Sequence, residues 1–236
     1  MEAEWLDRFC KLLPSSPVVL DLGCGTGEPI AGYLVGKGCA LTGIDTALEM
    51  IAVCKTRMPR EAWCVADMRA LPLDRAYDGI LAWDSFFHLC HDDQRRMFPV
   101  FRRHAGPGGA LMFTSGPSHG AAIGSFGGEP LYHASLDPAE YRALLEENGF
   151  AVAAHAVEDP ACGRHTIWLA QRSDQRTSRR QAARASRHQH EANDQNVTRT
   201  PPKPPTGAAG LRLRGLVAPG AWARNTELVG ENVPNV

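Results

Sequence analysis

The sequence predicts an α/β fold, a parallel sheet covered by helices, over residues 1–172, followed by a disordered basic tail over 173–236. Three observations carry this prediction. Short β-branched runs alternate with helix-like stretches through the first part, the pattern of strands joined by helical crossovers. A glycine-rich turn, Gly23 to Gly27, joins the first such run to the first such helix. The composition then changes after Arg172: residues 1–172 hold 15 Lys and Arg against 21 Asp and Glu, a net −6, whereas 173–236 hold 10 against 5, a net +5.

The elements follow in order. Trp5, Leu6, Phe9, Leu12 and Leu13 have helical spacing and form one amphipathic helix that packs on the sheet. Pro17 to Leu22 is the first strand, and after the glycine turn a helix runs to about Lys37. Cys39 to Asp45 is the second strand; Thr46 as N-cap with Glu49 three residues on completes a capping box, and the helix runs to about Met58. Trp63 to Ala66 and Tyr77 to Trp83 are the third and fourth strands. Asp92 to His104 is a helix with Met97, Val100, Phe101 and His104 on one face, and Ala110 to Ser115 is the next strand. The stretch Gly116 to His133 has the small, glycine-rich composition of a mobile lid, with Phe126, Leu131 and Tyr132 as an apolar wall. Asp137-Pro138 opens a helix that Gly149 closes, and Phe150 to Val157 and Thr166 to Gln171 are the last strands.

With 236 residues, 44% apolar and 22% charged, the chain has the composition of a globular protein with one sizeable domain and a shorter piece. No apolar run approaches the ~18 residues that a bilayer span needs. Glu2, Glu4 and Asp7 stand where a secretory leader would be basic, so the expected location is cytoplasmic. The seven cysteines are odd in number and form no C-x-x-C pair, which reads as reduced thiols. The acidic balance of residues 1–172 counts against nucleic acid as a partner. The tail, almost free of apolar residues until Leu211, has too little to bury to offset its ordering entropy.

Chemistry concentrates at Asp21-Leu22-Gly23-Cys24-Gly25-Thr26-Gly27. Such a turn lets a ligand approach the backbone, but its third glycine comes one residue early for the dinucleotide fingerprint, where Glu28 stands instead. A carboxylate there would repel a pyrophosphate. Three other acids suit a different ligand. Asp21 ends the first strand and can accept from an amine, and Asp45, 18 residues after Gly27, suits the two hydroxyls of a ribose. Asp67 can take hydrogens from an exocyclic adenine amine while Met68 packs on the ring. An amine, a ribose and an adenine without phosphates describe S-adenosylmethionine.

In VVLDLGCGTG (18–27), GID (43–45), VADMRALPL (65–73), YDGILAWDSFFHL (77–89) and the glycine-started fifth strand from Gly106, residues 17–171 resemble a class I S-adenosylmethionine-dependent methyltransferase. The resemblance implies a Rossmann-like, doubly wound sheet of seven strands in the order 3-2-1-4-5-7-6, the last antiparallel. It implies S-adenosylmethionine as cofactor, S-adenosylhomocysteine as product and a small-molecule acceptor. Position by position, Asp21, Gly23, Cys24, Gly25 and Gly27 would hold the methionine end. Asp45 with Thr46 would hold the ribose, Asp67 with Met68 the adenine, and Trp83 with Asp84 would line the methionine and substrate side.

A sulfonium methyl is already electrophilic, so positioning and water exclusion do much of the work, and a base is needed only for nucleophiles of high pKa. His88, His91, His119 and His133 border the expected crevice, and His88, closest after the fourth strand, is the candidate base. No metal site is expected, since His88-x-x-His91 lacks further ligands. Two other readings stay open: a non-catalytic S-adenosylmethionine-binding or partner protein, and a nicotinamide-dependent oxidoreductase.

Overall fold

In the computed structural model, which describes residues 2–173, the N-terminal segment folds as α1 (Ala3–Cys10) and buries Trp5, Leu6 and Phe9. The tail expectation concerns residues outside that span, apart from Ser173. The apolar run ahead of the glycine turn becomes β1 (Val18–Leu22), buried from Val19 onward because helices cover both sides of it. After the turn come α2 (Ile30–Gly36), β2 (Ala40–Asp45), α3 (Leu48–Arg57) and β3 (Ala62–Val65). A single 3-10 turn, Met68–Ala70, leads on to β4 (Tyr77–Ala82), and another, Phe86–His88, precedes α4 (His91–His104). The chain continues through β5 (Ala105–Ser115), β6 (Gly120–Phe126), β7 (Glu129–Ser135), α5 (Pro138–Glu147), β8 (Phe150–Asp159) and β9 (His165–Arg172).

Seven strands form one sheet in the order β3-β2-β1-β4-β5-β9-β8. The first five are parallel, and β9 runs antiparallel to both β5 and β8. With β6 and β7 set aside as a separate two-stranded sheet, this is the expected doubly wound order. The order reverses at β1/β4, so the crevice beyond the carboxyl ends of those strands is where such a sheet binds ligands.

Each face of the sheet is sealed by its own core. On one, Phe86, Phe98, Phe101, Phe113, Tyr141 and Trp168 form a continuous aromatic cluster between α4, α5 and the strands. Truncating one of these phenylalanines to alanine costs about 3–5 kcal/mol. On the other, Trp5, Leu6 and Phe9 pack with Val19, Leu81 and Met112. Phe9 fits there because residue 79 is glycine: a Cβ on Gly79 would stand 2.5 Å from the Phe9 ring. Trp5 Nε1 also donates to Asp159 Oδ2 at 2.7 Å.

Four local expectations are corrected. The stretch 116–133 is chiefly the β6–β7 hairpin, not an irregular loop, and its Gly and Ala content hid the alternation that marks a strand. The fifth strand begins at Ala105, five residues before the start read from the apolar pattern and one before the Gly106 that the resemblance implies. The cap of α3 is Ala47, not Thr46, because Asp45 Oδ1 takes the Ala47 N–H at 2.9 Å. Helix α2 begins at Ile30, so Glu28 lies before it and not in its first turn.

Candidate functional site

The glycine turn is shaped by what lies against it. Gly23 has a φ of +75°, and a Cβ there would lie 2.3 Å from Ser85 Cβ. Ser85 Oγ donates to Leu22 O at 2.6 Å, locking the end of β1 to the segment after β4. Gly25 also has a positive φ, and its N–H donates to Asp45 Oδ2 at 2.9 Å. Asp45 therefore bridges the turn after β1 and the start of α3, with lone pairs remaining on both oxygens. Gly27 faces inward, where a Cβ would meet Met58 Cε at 2.6 Å; it packs α3 and lines neither cavity described below.

Two cavities open at the carboxyl ends of the strands. The larger, about 770 Å³, runs along Asp45, Thr46, Asp67 and Met68 and widens past Phe87, His88, Leu131 and His133 to His165. The smaller, about 220 Å³, is walled by Asp21, Cys24, Thr26, Glu28, Trp83 and Glu2. Both are lined by Gly23, Gly25 and Asp84, which mark where they meet. Every predicted cofactor-binding residue except Gly27 borders one or both, as do His88 and His133, whereas His91 and His119 border neither.

The acids differ in their surroundings. Asp21 is 3% exposed and has no hydrogen-bond donor among the described residues; burial, and then the neighbouring charge of Asp45, push its carboxyl up to about 7. Asp67 is bound through both oxygens by Arg69 Nε, with Arg69 Nη2 on Oδ2 at 2.6 Å, and it caps its own turn through Arg69 N. That guanidinium holds the Asp67 carboxyl below the usual carboxylate range. For Asp67 to meet an amine, one of these bonds must open. Arg69 is held in turn by Asp93 Oδ2 at 2.7 Å.

Asp84, with φ +48°, is aimed from the end of β4 by Thr114 Oγ1, which accepts from Asp84 N at 2.9 Å and donates to Oδ1. Its Oδ2 lies 3.0 Å from His165 Nε2, and His165 Nδ1 lies 2.6 Å from Cys162 O. The Asp84 hydrogen bond, foremost, lifts His165 to about 9. With both ring nitrogens committed, His165 is a fixed cation, not a base. His88 is different: Nδ1 meets Tyr132 O at 2.9 Å, and Nε2 makes no hydrogen bond to a described residue. His91 and His119 stack on each other away from the cleft lining, and His91 Nε2 reaches Gly120 O and Ser135 O. Among the described residues no cluster of His, Cys, Asp or Glu could hold a metal ion.

Sequence reasoning missed His165, Ser85 and Arg69. His165 comes from the seventh strand of the sheet, 81 residues from its partner Asp84, and no local motif flags such a pair. Ser85 lies inside the recognised fourth-strand pattern, and Arg69 directly follows Asp67-Met68, so adjacency was their available signal.

Residues 19–109 match the family model described as methyltransferase domain. By sequence the chain is 33% identical over 98 residues to a malonyl-[acyl-carrier protein] O-methyltransferase of Pseudescherichia vulneris, spanning 41% of this chain and 38% of that protein. It is 30% identical over 106 residues to a trans-aconitate 2-methyltransferase of Azoarcus sp., spanning 42% and 39%. The chain thus matches about two fifths of the length of these relatives. By fold it resembles a solved S-adenosylmethionine-dependent methyltransferase of Methanosarcina mazei, with TM-score 0.62, 18% identity, and coverage of 71% of this chain and 98% of that one. Residues 19–109 thus match the methyltransferase-domain model, and the sheet that holds them shares the fold of that solved structure.

Proposed function

We propose that the chain transfers a methyl group from S-adenosylmethionine to a small-molecule acceptor. The observation that carries this is the pair of cavities meeting at Gly23, Gly25 and Asp84, the smaller one walled by a buried carboxylate, Asp21, that has no partner among the described residues. A buried acid without a donor is costly unless a cation arrives to meet it. An α-ammonium group is such a cation, and no nicotinamide dinucleotide would present one there.

The residues fit the cofactor by their chemistry. Asp21, Gly23, Cys24, Gly25 and Trp83 would hold the amino-acid end, Gly27 shaping the turn from behind. Asp45 with Thr46 would hold the ribose, Asp67 with Met68 the adenine, and Asp84 would stand beside the reacting centre. When bound, the cofactor supplies an electrophilic methyl on a sulfonium. The chain's own part is to orient the acceptor and exclude water, which the wall of Phe87, Leu131 and Met68 supports. His88 is the candidate base. The matched relatives whose names print an acceptor include ones named for malonyl-[acyl-carrier protein], trans-aconitate and demethylmenaquinone, which supports a small or carrier-borne acceptor for this chain.

Calorimetric titration with S-adenosylhomocysteine, with NAD as control, tests the reading. We expect saturable 1:1 binding of the first and none of the second. A folded chain that ignores S-adenosylhomocysteine overturns the proposal, and binding of NAD instead would favour an oxidoreductase.

A further inference from the structure

We infer that the wider cavity takes a protic acceptor, a hydroxyl or amine on an apolar body, and that His88, set by the β6–β7 hairpin and paired with His133, receives the acceptor's proton. This rests on the methyltransferase reading and deepens it. A carbonyl oxygen can only accept, so the 2.9 Å contact from His88 Nδ1 to Tyr132 O puts the ring hydrogen on Nδ1. In the neutral ring the lone pair is then on Nε2, on a side chain that lines the cavity. The same strand that supplies Tyr132 supplies His133, whose ring centroid is 4.9 Å from that of His88. Two imidazolium charges at that distance oppose each other. Burial and the His88 charge hold His133 below the usual imidazole range.

The pair is housed. A Cβ on Gly124 of β6 would stand 3.0 Å from His133 Cε1, so glycine makes the space for the ring. Phe87 lies 4.7 Å from the His88 ring and 5.2 Å from that of His133, and Leu131 completes an apolar wall. Of the other charged groups around the cavity, Asp84 is paired with His165 and Asp67 with Arg69, which Asp93 also holds, while Asp45 accepts from two backbone N–H groups at the proposed cofactor end. Arg69 and His165, its described cations apart from the histidine pair, are thus both held by carboxylates, which leaves no free partner for an anionic acceptor. An acceptor carboxylate would also have no proton to give His88. In the transfer, the acceptor's oxygen or nitrogen forms a bond to the methyl carbon while the carbon–sulfur bond breaks. The electron pair of that bond stays on sulfur as a neutral thioether, and the acceptor's proton passes to His88 Nε2 and on to solvent.

The test uses the full chain with ¹⁵N-labelled histidine, read by long-range ¹H–¹⁵N correlation near pH 8. We expect the Nδ1–H tautomer at His88, and the Nε2–H tautomer there overturns the inference. The variant His88→Asn keeps an N–H for Tyr132 O and removes the basic nitrogen. It should bind S-adenosylhomocysteine within about twofold of the parent, while methyl transfer to 4-methylcatechol or benzylamine falls about 10²–10³-fold. Methylation of benzoate that is indifferent to His88→Asn overturns the inference. If none of the three probes accepts a methyl, the tautomer decides alone. Failure to bind S-adenosylhomocysteine would defeat the methyltransferase reading and leave the histidine measurement standing, so the two failures are told apart.

Discussion

Asp21 carries the strongest residue-scale prediction, because it is buried, without a donor among the described residues, and pushed up to about 7 from an ordinary value of 3.8. Its folded value lies above its unfolded one, so between about 4 and about 7 the native state holds more protons than the unfolded chain. Stability from this group is therefore present at low pH and is lost as pH rises to about 7. Asp21→Asn, which keeps the shape without the charge, should stabilise the ligand-free chain by about 1–3 kcal/mol at pH 8 and by less at pH 5. The same substitution should weaken S-adenosylhomocysteine binding at least tenfold at pH 8. Chemical denaturation at the two pH values, paired with calorimetry, checks both halves; a variant less stable than the parent at pH 8 would show that Asp21 has a partner after all. The residue's importance was legible in the sequence, since an acid just before a glycine turn at a strand end suits an amine. Its missing partner was not, because burial is a property of the assembled sheet.

At the scale of elements, the β6–β7 hairpin was the least legible part of the fold. GAAIGSF has one β-branched and one aromatic residue, Ile123 and Phe126, among small ones, too few to mark a strand, and five glycines between 116 and 133 read as a lid. The contacts that order it lie elsewhere: Gln94 Nε2 donates to Ala134 O at 2.8 Å, Ser135 Oγ accepts from Gly116 N, and His91 reaches Ser135 O. Gln94 is itself buried and fixed by Tyr141 OH at 2.5 Å. Helix α4 thus carries the hairpin, and the hairpin carries Leu131 and His133 to the cavity and the Tyr132 carbonyl to His88. Gly124→Val tests that arrangement, because a Cβ there stands 3.0 Å from the His133 ring and the branched side chain must displace it. Turnover of the acceptor should fall about tenfold or more, with S-adenosylhomocysteine affinity unchanged within about twofold. An equal loss of both would mean that the hairpin serves the cofactor, not the acceptor.

For the molecule as a whole, the parallel half of the sheet followed from alternating patterns, while the order of strands came through the resemblance, since no local signal says that β4 lies beside β1. The His165–Asp84 pair exists only because that order sets β9 next to β5, whose Thr114 also holds Asp84. Ligand binding should therefore report on the entire sheet. The proposed cofactor would touch the ends of β1, β2, β3 and β4, and it would bind the native chain alone. At 100 times its dissociation constant, S-adenosylhomocysteine should add about 2.7 kcal/mol to unfolding, or about 5–11 °C in midpoint for a chain of this size. Asp21 gives that shift a pH dependence. A ligand ammonium meets ionised Asp21, so binding below about 7 must first expel a proton. The thermal shift at fixed ligand concentration should shrink as pH falls from 8 to 6, and calorimetric enthalpies at pH 6.5 should vary with the ionisation enthalpy of the buffer. A shift that is flat across this range, with buffer-independent enthalpies, would mean that the ligand's ammonium does not meet Asp21, and the orientation proposed for the cofactor would have to be reversed.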